Sequence, residues 1–123
     1  MTLTLYHYAN CGTCKNAQRW LADRGLVVTA IDLVATPPDV ATLADVQRLA
    51  GLEARQLFNT SGLVYRGDHW ADRVPGMADA AIHEALAGNG RLIKRPLLLL
   101  RRANGTGAAL VGFREAAWQA LLG

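Results

Sequence analysis

At 123 residues, 51% hydrophobic and 19% charged, the chain has the size and composition of one compact domain able to bury a core. Thirteen Lys and Arg against ten acids leave a net charge of +3, with bases such as Lys15, Arg24, Arg48, Arg73 and Arg114 scattered rather than run together. That pattern argues for a solvated, mildly basic surface and against direct nucleic-acid binding. The opening MTLTLYHY lacks a basic n-region and a small-residue cleavage site, and no stretch approaches about 18 apolar residues. A cytoplasmic protein without membrane association is therefore expected.

Residues 2–7, TLTLYH, read as a short strand, and YANCGT as a turn. The helical stretch CKNAQRWLADRG follows, with Ala17, Trp20 and Leu21 on one face and Gly25 as its stop. LVVTAIDL, residues 26–33, reads as a buried strand of the kind found in parallel sheets, completing a β-α-β unit. These elements look like the front half of a thioredoxin-like domain.

Thr36 before Pro37 and Pro38 is a helix-entry signal with Thr36 as N-cap, and Val40, Leu43, Val46 and Leu49 recur at helical spacing up to Gly51. EARQLF reads as a helix of one or two turns, NTSG as a turn and MADAAIHEALAGNG as a further helix; no strand is expected in this half. RPLLLLRR, the turn ANGTG and AALVGF make a hairpin, and REAAWQALL closes the chain as a helix. Trp20, Trp118 and the LLLL run read as core. The expectation is a single α/β domain over residues 1–123: a four-stranded mixed sheet with an all-helical insertion at about 36–90.

Cys11 and Cys14 stand one helical turn apart, close enough for a disulfide to close without backbone movement. The first lies where a helix offers unpaired N–H groups and the positive end of its dipole, which favour a thiolate. Cys11 is thus the expected nucleophile and Cys14, one turn deeper, the resolving thiol. Lys15 and Arg19 add positive charge nearby. His7 either tunes Cys11 or only caps the strand. Two alternatives stand beside the redox reading: half of a zinc site, with His7, His69 and His83 the only histidines to complete it, or two inert buried thiols. No metal is expected.

Pro96 at a strand start beside the first strand suits a cis bond that sets backbone groups opposite the thiol. Arg95 would then point toward Cys11, where its fork of donors suits an oxyanion or carboxylate; the alternative is an ordinary surface arginine.

Taken together, LYHYANCGTCKNA, TPP, LFNTSGLVYR, IKRPLLLL and the late LVGF resemble the arsenate reductase (ArsC), Spx and YffB family along nearly the whole chain. The resemblance implies that the cysteine at position 11 attacks arsenate, and that glutathione and glutaredoxin resolve the product. No tightly bound cofactor is implied; glutathione or another thiol donor is a co-substrate. Family arsenate reductases hold the anion with three arginines, of which only Arg95 has a match; Asn59 and Gly112 stand at the other two places, with Arg66 and Arg91 as substitutes. The substrate-binding set is then His7, Asn59, Arg95 and Pro96, and the catalytic set Cys11, Cys14 and Arg95. Partners implied are arsenate or another small oxidised substrate and glutaredoxin or thioredoxin. The other reading is an Spx-like regulator, whose cysteine pair switches contact with RNA polymerase.

Overall fold

The computed structural model describes residues 1–123. Four strands form one sheet in the order β2-β1-β3-β4: β1 (Thr2–His7), β2 (Thr29–Asp32), β3 (Leu97–Arg101) and β4 (Gly107–Val111). β1 runs parallel to β2 and antiparallel to β3, and β3 pairs antiparallel with β4. α1 (Gly12–Asp23) connects β1 to β2, and α6 (Glu115–Leu122) follows β4.

The hairpin strands explain why the LLLL run is unbroken. Side chains alternate across a strand, so a run buried on both faces has no polar register. Leu97 and Leu99 enter the core on one face of the sheet, and Leu98 and Leu100 enter the core on the other. Each fully buried leucine contributes about 1.5–3 kcal/mol. Beneath Leu98 and Leu100 lie Ala17, Trp20 and Leu21 of α1 and Trp118 of α6. Trp20 meets Trp118 edge-on, with ring centroids 6.1 Å apart and planes at 85°, the geometry aromatic quadrupoles prefer. Trp118 also donates from Nε1 to the Gly112 carbonyl at 3.1 Å.

The opposite face carries the segment between β2 and β3, built from helices alone: α2 (Val40–Ala50), α3 (Leu63–Gly67), α4 (Trp70–Arg73) and α5 (Asp79–Gly88), with 3-10 turns at Ala54–Leu57, Val74–Gly76 and Gly90–Leu92. Leu43 and Val46 of α2 and Ile82 and Leu86 of α5 pack with Tyr6, Leu97 and Leu99 of the sheet. No helix is long and apolar enough to cross a membrane.

Two local expectations are corrected. Residues 26–33 are not a buried strand: only Thr29–Asp32 pair with β1, at the edge of the sheet, and Val27 is 89% exposed. An apolar run cannot by itself distinguish an edge strand from an interior one, because neighbours on both sides come from distant sequence. The N-cap of α2 is Asp39 rather than Thr36. Its Oδ1 accepts the Thr42 N–H at 2.8 Å, whereas the Thr36 N–H is engaged in a turn to the Asp32 carbonyl. Pro37 and Pro38 therefore precede the cap.

Gly90 locks the helical segment to the sheet. A Cβ there would stand 1.8 Å from the Leu33 carbonyl oxygen, a backbone atom that cannot swing aside. Gly90→Ala is expected to lower stability by about 3 kcal/mol, while Gly88→Ala, at an exposed position with no atom within 4 Å, stays near neutral; chemical denaturation of both variants checks this.

Three aspartates sit below the ordinary carboxylate range. Asp32 accepts the backbone N–H groups of Ala35 and Val34, Asp39 is bonded by Thr42, and Asp45 is paired with Arg101 at 2.8 Å and with Arg48 at 3.3 Å. Because each holds its proton less tightly when folded, its stabilisation is complete above the unfolded value near 3.9 and is lost as pH falls further. Thermal melts are expected to hold level in these terms from pH 7 to 5 and to drop below about pH 4, less steeply in Asp45→Asn.

Candidate active site

The turn after β1 delivers Cys11 to the head of α1. The Cys11 N–H donates to the Tyr8 carbonyl and the Cys11 carbonyl accepts the Lys15 N–H, both at 3.1 Å. Cys11 is extended, with φ −102° and ψ 109°, and is itself the N-cap: its Sγ accepts the Cys14 N–H at 3.1 Å. Caps are ordinarily oxygen acceptors. A sulfur in that place makes a stronger bond when it carries negative charge, and the positive end of the helix adds to the effect.

Cys11 is partly exposed and Cys14 is fully buried; both are free thiols. Burial, foremost, pushes the Cys14 thiol up to about 12, with the hydrogen bond to Cys11 and the Cys11 charge acting in the same direction, against a backbone hydrogen bond from Tyr8 and the Arg95 charge. At neutral pH Cys14 therefore keeps its proton. The pair is asymmetric: one sulfur reachable from solvent, one dry and protonated.

The sheet supplies the rest. β1 and β3 are antiparallel, with Tyr6 opposite Leu97, so the residues preceding β3 arrive beside the residues following β1. The Arg95–Pro96 bond is cis, and the Pro96 carbonyl accepts the Gly112 N–H at 2.8 Å. The Arg95 guanidinium lies 5.0 Å over the Tyr8 ring and reaches the Arg91 carbonyl at 3.4 Å. Asn59 is brought alongside by an isolated bridge between Phe58 and Ile93, with its own N–H on the Leu92 carbonyl at 2.7 Å.

His7 is the last residue of β1. Its backbone carbonyl accepts the Leu33 N–H at 2.9 Å and it pairs with Asp32 in the β1–β2 ladder; no hydrogen bond joins it to Cys11. His83 is buried in α5, with Nε2 2.6 Å from Gln47 Oε1. No three His, Cys, Asp or Glu side chains come together as a ligand set.

Two hollows flank Arg95 and Asn59, which line both. One, of about 340 Å³, takes in Tyr8, Leu63 and Arg91. The other, of about 480 Å³, takes in Thr13, Gln56, Lys94 and Arg114. Tyr8 and Thr13, on either side of Cys11 in the chain, each line one of the two, while Cys11 itself lines neither. Of the two substitutes named for the missing arginines, Arg91 lines the smaller hollow, whereas Arg66 lines neither. Sequence reasoning passed over Lys94, Arg114, Gln56, Thr13 and Tyr8. The only available signal was adjacency, Lys94 before Arg95 and Arg114 two positions after Gly112, and adjacency does not say on which side of a strand end a long side chain falls.

A β-α-β unit joined to a β-hairpin and a last helix, with a cysteine pair at the head of the first helix, defines a thioredoxin-like protein. The particular family follows from comparison: the ArsC family model matches residues 6–121, and the chain belongs to the ArsC family, whose members named arsenate reductase mark it as a family of thiol-dependent reductases. Among its relatives, the protein YusI of Bacillus subtilis is 38% identical over 97 residues, covering 79% of this chain and 82% of YusI. An arsenate reductase of Rhizobium meliloti is 29% identical, over 80% of this chain and 69% of its own. An ArsC family related protein from Bacteroides fragilis superposes with a TM-score of 0.89 at 33% identity, covering 98% of each chain.

Exposure and protonation together predict selective labelling. Iodoacetamide at pH 7.5 is expected to modify the native protein once, at Cys11, and to reach Cys14 only after denaturation; mass spectrometry of the peptides reads the site, and equal labelling of both thiols contradicts the asymmetry.

Proposed function

We propose that the protein is a thiol-dependent reductase in which Cys11 attacks a small oxidised substrate, with arsenate the candidate, and Cys14 completes the reduction. The observation that carries this reading is the Cys14 N–H bond to Cys11 Sγ at 3.1 Å, which couples an accessible sulfur to a helix head and to a buried second thiol.

In the first step Cys11 Sγ forms a bond to arsenic, and one arsenate oxygen leaves as water after taking up protons; arsenic remains at +5. In the second, Cys14 sulfur attacks Cys11 Sγ. The S–As bonding pair passes to arsenic, arsenite departs at +3, and the Cys14 proton goes to solvent. The two cysteines end as a disulfide, and an external thiol pair returns the two electrons: glutathione, glutaredoxin or thioredoxin.

At neutral pH the Cys14 proton is held chiefly by burial and also by the hydrogen bond to Cys11, so Cys14 attacks as that proton is given up to solvent. In this reading Arg95 holds the anion, with Asn59 as a neutral donor beside it; Arg95 stacking over Tyr8 and lining both hollows supports it.

The test is NADPH oxidation with arsenate and either glutathione with glutaredoxin or thioredoxin with its reductase. Cys11→Ser is expected to cut the rate by about a thousandfold or more. Cys14→Ser is expected to lose the thioredoxin-supported rate and keep a glutathione-dependent remnant. An unchanged rate in Cys11→Ser removes the reading.

A further inference from the structure

The helical segment between β2 and β3 carries a hollow of its own, about 530 Å³ in volume and within the range of small-molecule sites. Phe58, 2% exposed, and Val74, 9% exposed, give it a buried apolar lining, to which Tyr65, Ala71 and Pro75 add. None of Tyr8, Cys11, Cys14, Asn59 and Arg95 lines it, so it shares no side chain with the cysteine turn. The Phe58 and Tyr65 ring centroids are 5.5 Å apart with planes at 60°, and Phe58 meets Trp70 at 5.6 Å. Aromatic rings attract one another over such distances, so a further ring in the hollow extends a cluster that already exists.

The polar groups of this hollow offer donors and no anionic acceptor. No carboxylate lines it. The Thr60 and Tyr65 hydroxyls and the Lys94 ammonium form no hydrogen bond within the chain. Lys94 also stands outside the ion pairs, which are Arg48–Asp45, Arg55–Glu53 and Arg101–Asp45. Arg55, the other cation here, is already held by Glu53 at 2.6 Å. Gln56 Oε1 accepts the Glu53 N–H at 2.8 Å, which leaves the Gln56 amide nitrogen to donate. Lys94 is thus the uncompensated charge, and its backbone is fixed beside Phe58 by its own N–H on the Leu57 carbonyl at 2.7 Å. One exposed ammonium next to buried rings selects a ligand with an aromatic body and a single negative end.

We propose that this hollow binds a small aromatic carboxylate, with its ring against Phe58 and Tyr65 and its carboxylate on Lys94. The site does not depend on the reading of Cys11 as nucleophile. Lys94 also lines the cationic hollow that takes in Arg95 and Arg114, so removing its charge touches both hollows and does not by itself locate the ligand. Two other residues separate them: Ala71, exposed on α4, lines only the first of the two, and Arg114 lines only the second.

Binding is followed by amide-resolved NMR titration of the full chain with naphthoate, its neutral amide naphthamide and its saturated analogue decahydronaphthoate. Naphthoate is expected to shift the Phe58, Thr60, Tyr65 and Ala71 amides saturably, with a Kd at or below about 1 mM. It is expected to bind at least about tenfold more tightly than either analogue. Lys94→Gln is expected to weaken it about tenfold and Lys94→Arg to keep most of the affinity. Ala71→Glu is expected to weaken it more than Ala71→Gln, and Arg114→Gln to leave it unchanged. Lys94 and Ala71 are exposed, and the amide spectrum of each variant reports its fold in the same experiment. Absence of saturable shifts, naphthamide binding as tightly as naphthoate, or unchanged affinity in Lys94→Gln overturns the site. Equal binding of decahydronaphthoate overturns the aromatic class. Shifts centred on Gly112 and lost in Arg114→Gln put the ligand in the cationic hollow and overturn the assignment to the helical segment.

Discussion

The antiparallel register of β1 on β3, Tyr6 opposite Leu97 and Leu5 opposite Leu98, is the constraint on which everything at the candidate site depends. It sets the exit of β1 and the entry of β3 at one end of the sheet, and the pairing of Leu97 with Val111 brings the exit of β4 there as well. Cys11, Arg95, Gly112 and Arg114 thus converge although they span about a hundred residues of sequence. A slip of one residue would exchange the two faces of every leucine in β3, and the double-sided burial of Leu97–Leu100 makes such a slip costly. The packing that stabilises the domain is the same packing that aligns the chemistry.

Around that frame the two cysteines are divided by depth rather than by type. Cys11 occupies a position usually given to an oxygen acceptor, at the mouth of α1, while Cys14 faces the interior with Ala17 one turn further on. The difference in environment between adjacent turns of one helix is what allows two identical side chains to take distinct parts in one reaction. Arg95 contributes a charge close enough to bear on Cys14, yet its guanidinium is steadied by the Tyr8 face and the Arg91 carbonyl rather than by an acid. It therefore remains available to an incoming anion.

The helical segment between β2 and β3 acts as the buttress of the site. Its contact with the sheet at Gly90 and Leu33 is backbone against backbone, and the Phe58–Ile93 bridge with the Lys94 N–H on the Leu57 carbonyl at 2.7 Å ties Asn59 to the strand that carries Arg95. Because the segment touches both hollows through Asn59, a change in its seating would alter both at once. Cation–π stacking of Arg73 on Trp70 and of Arg24 on Trp20, each 3.6 Å from the ring centroid, covers indoles at the outer margins of the two cores.

What was legible without coordinates was whatever local chemistry decides. The period-free LLLL run, the cysteine spacing at a helix start, the glycine stop after α1 and the proline ahead of β3 each carry their meaning within a few residues, and from them the order of elements, the four-stranded mixed sheet and the cysteine pair could be derived. The edge position of β2 and the Asp39 cap were not legible, the first because strand neighbours are distant in sequence, the second because Thr36 and Asp39 offer equivalent side-chain acceptors and only the turn to Asp32 decides between them. The cationic hollow is wholly a product of tertiary structure. Lys94, Arg95 and Arg114 look like three of thirteen dispersed bases until strand pairing gathers them at one edge, since the direction of a long flexible side chain is settled by what packs beside it and not by its own sequence.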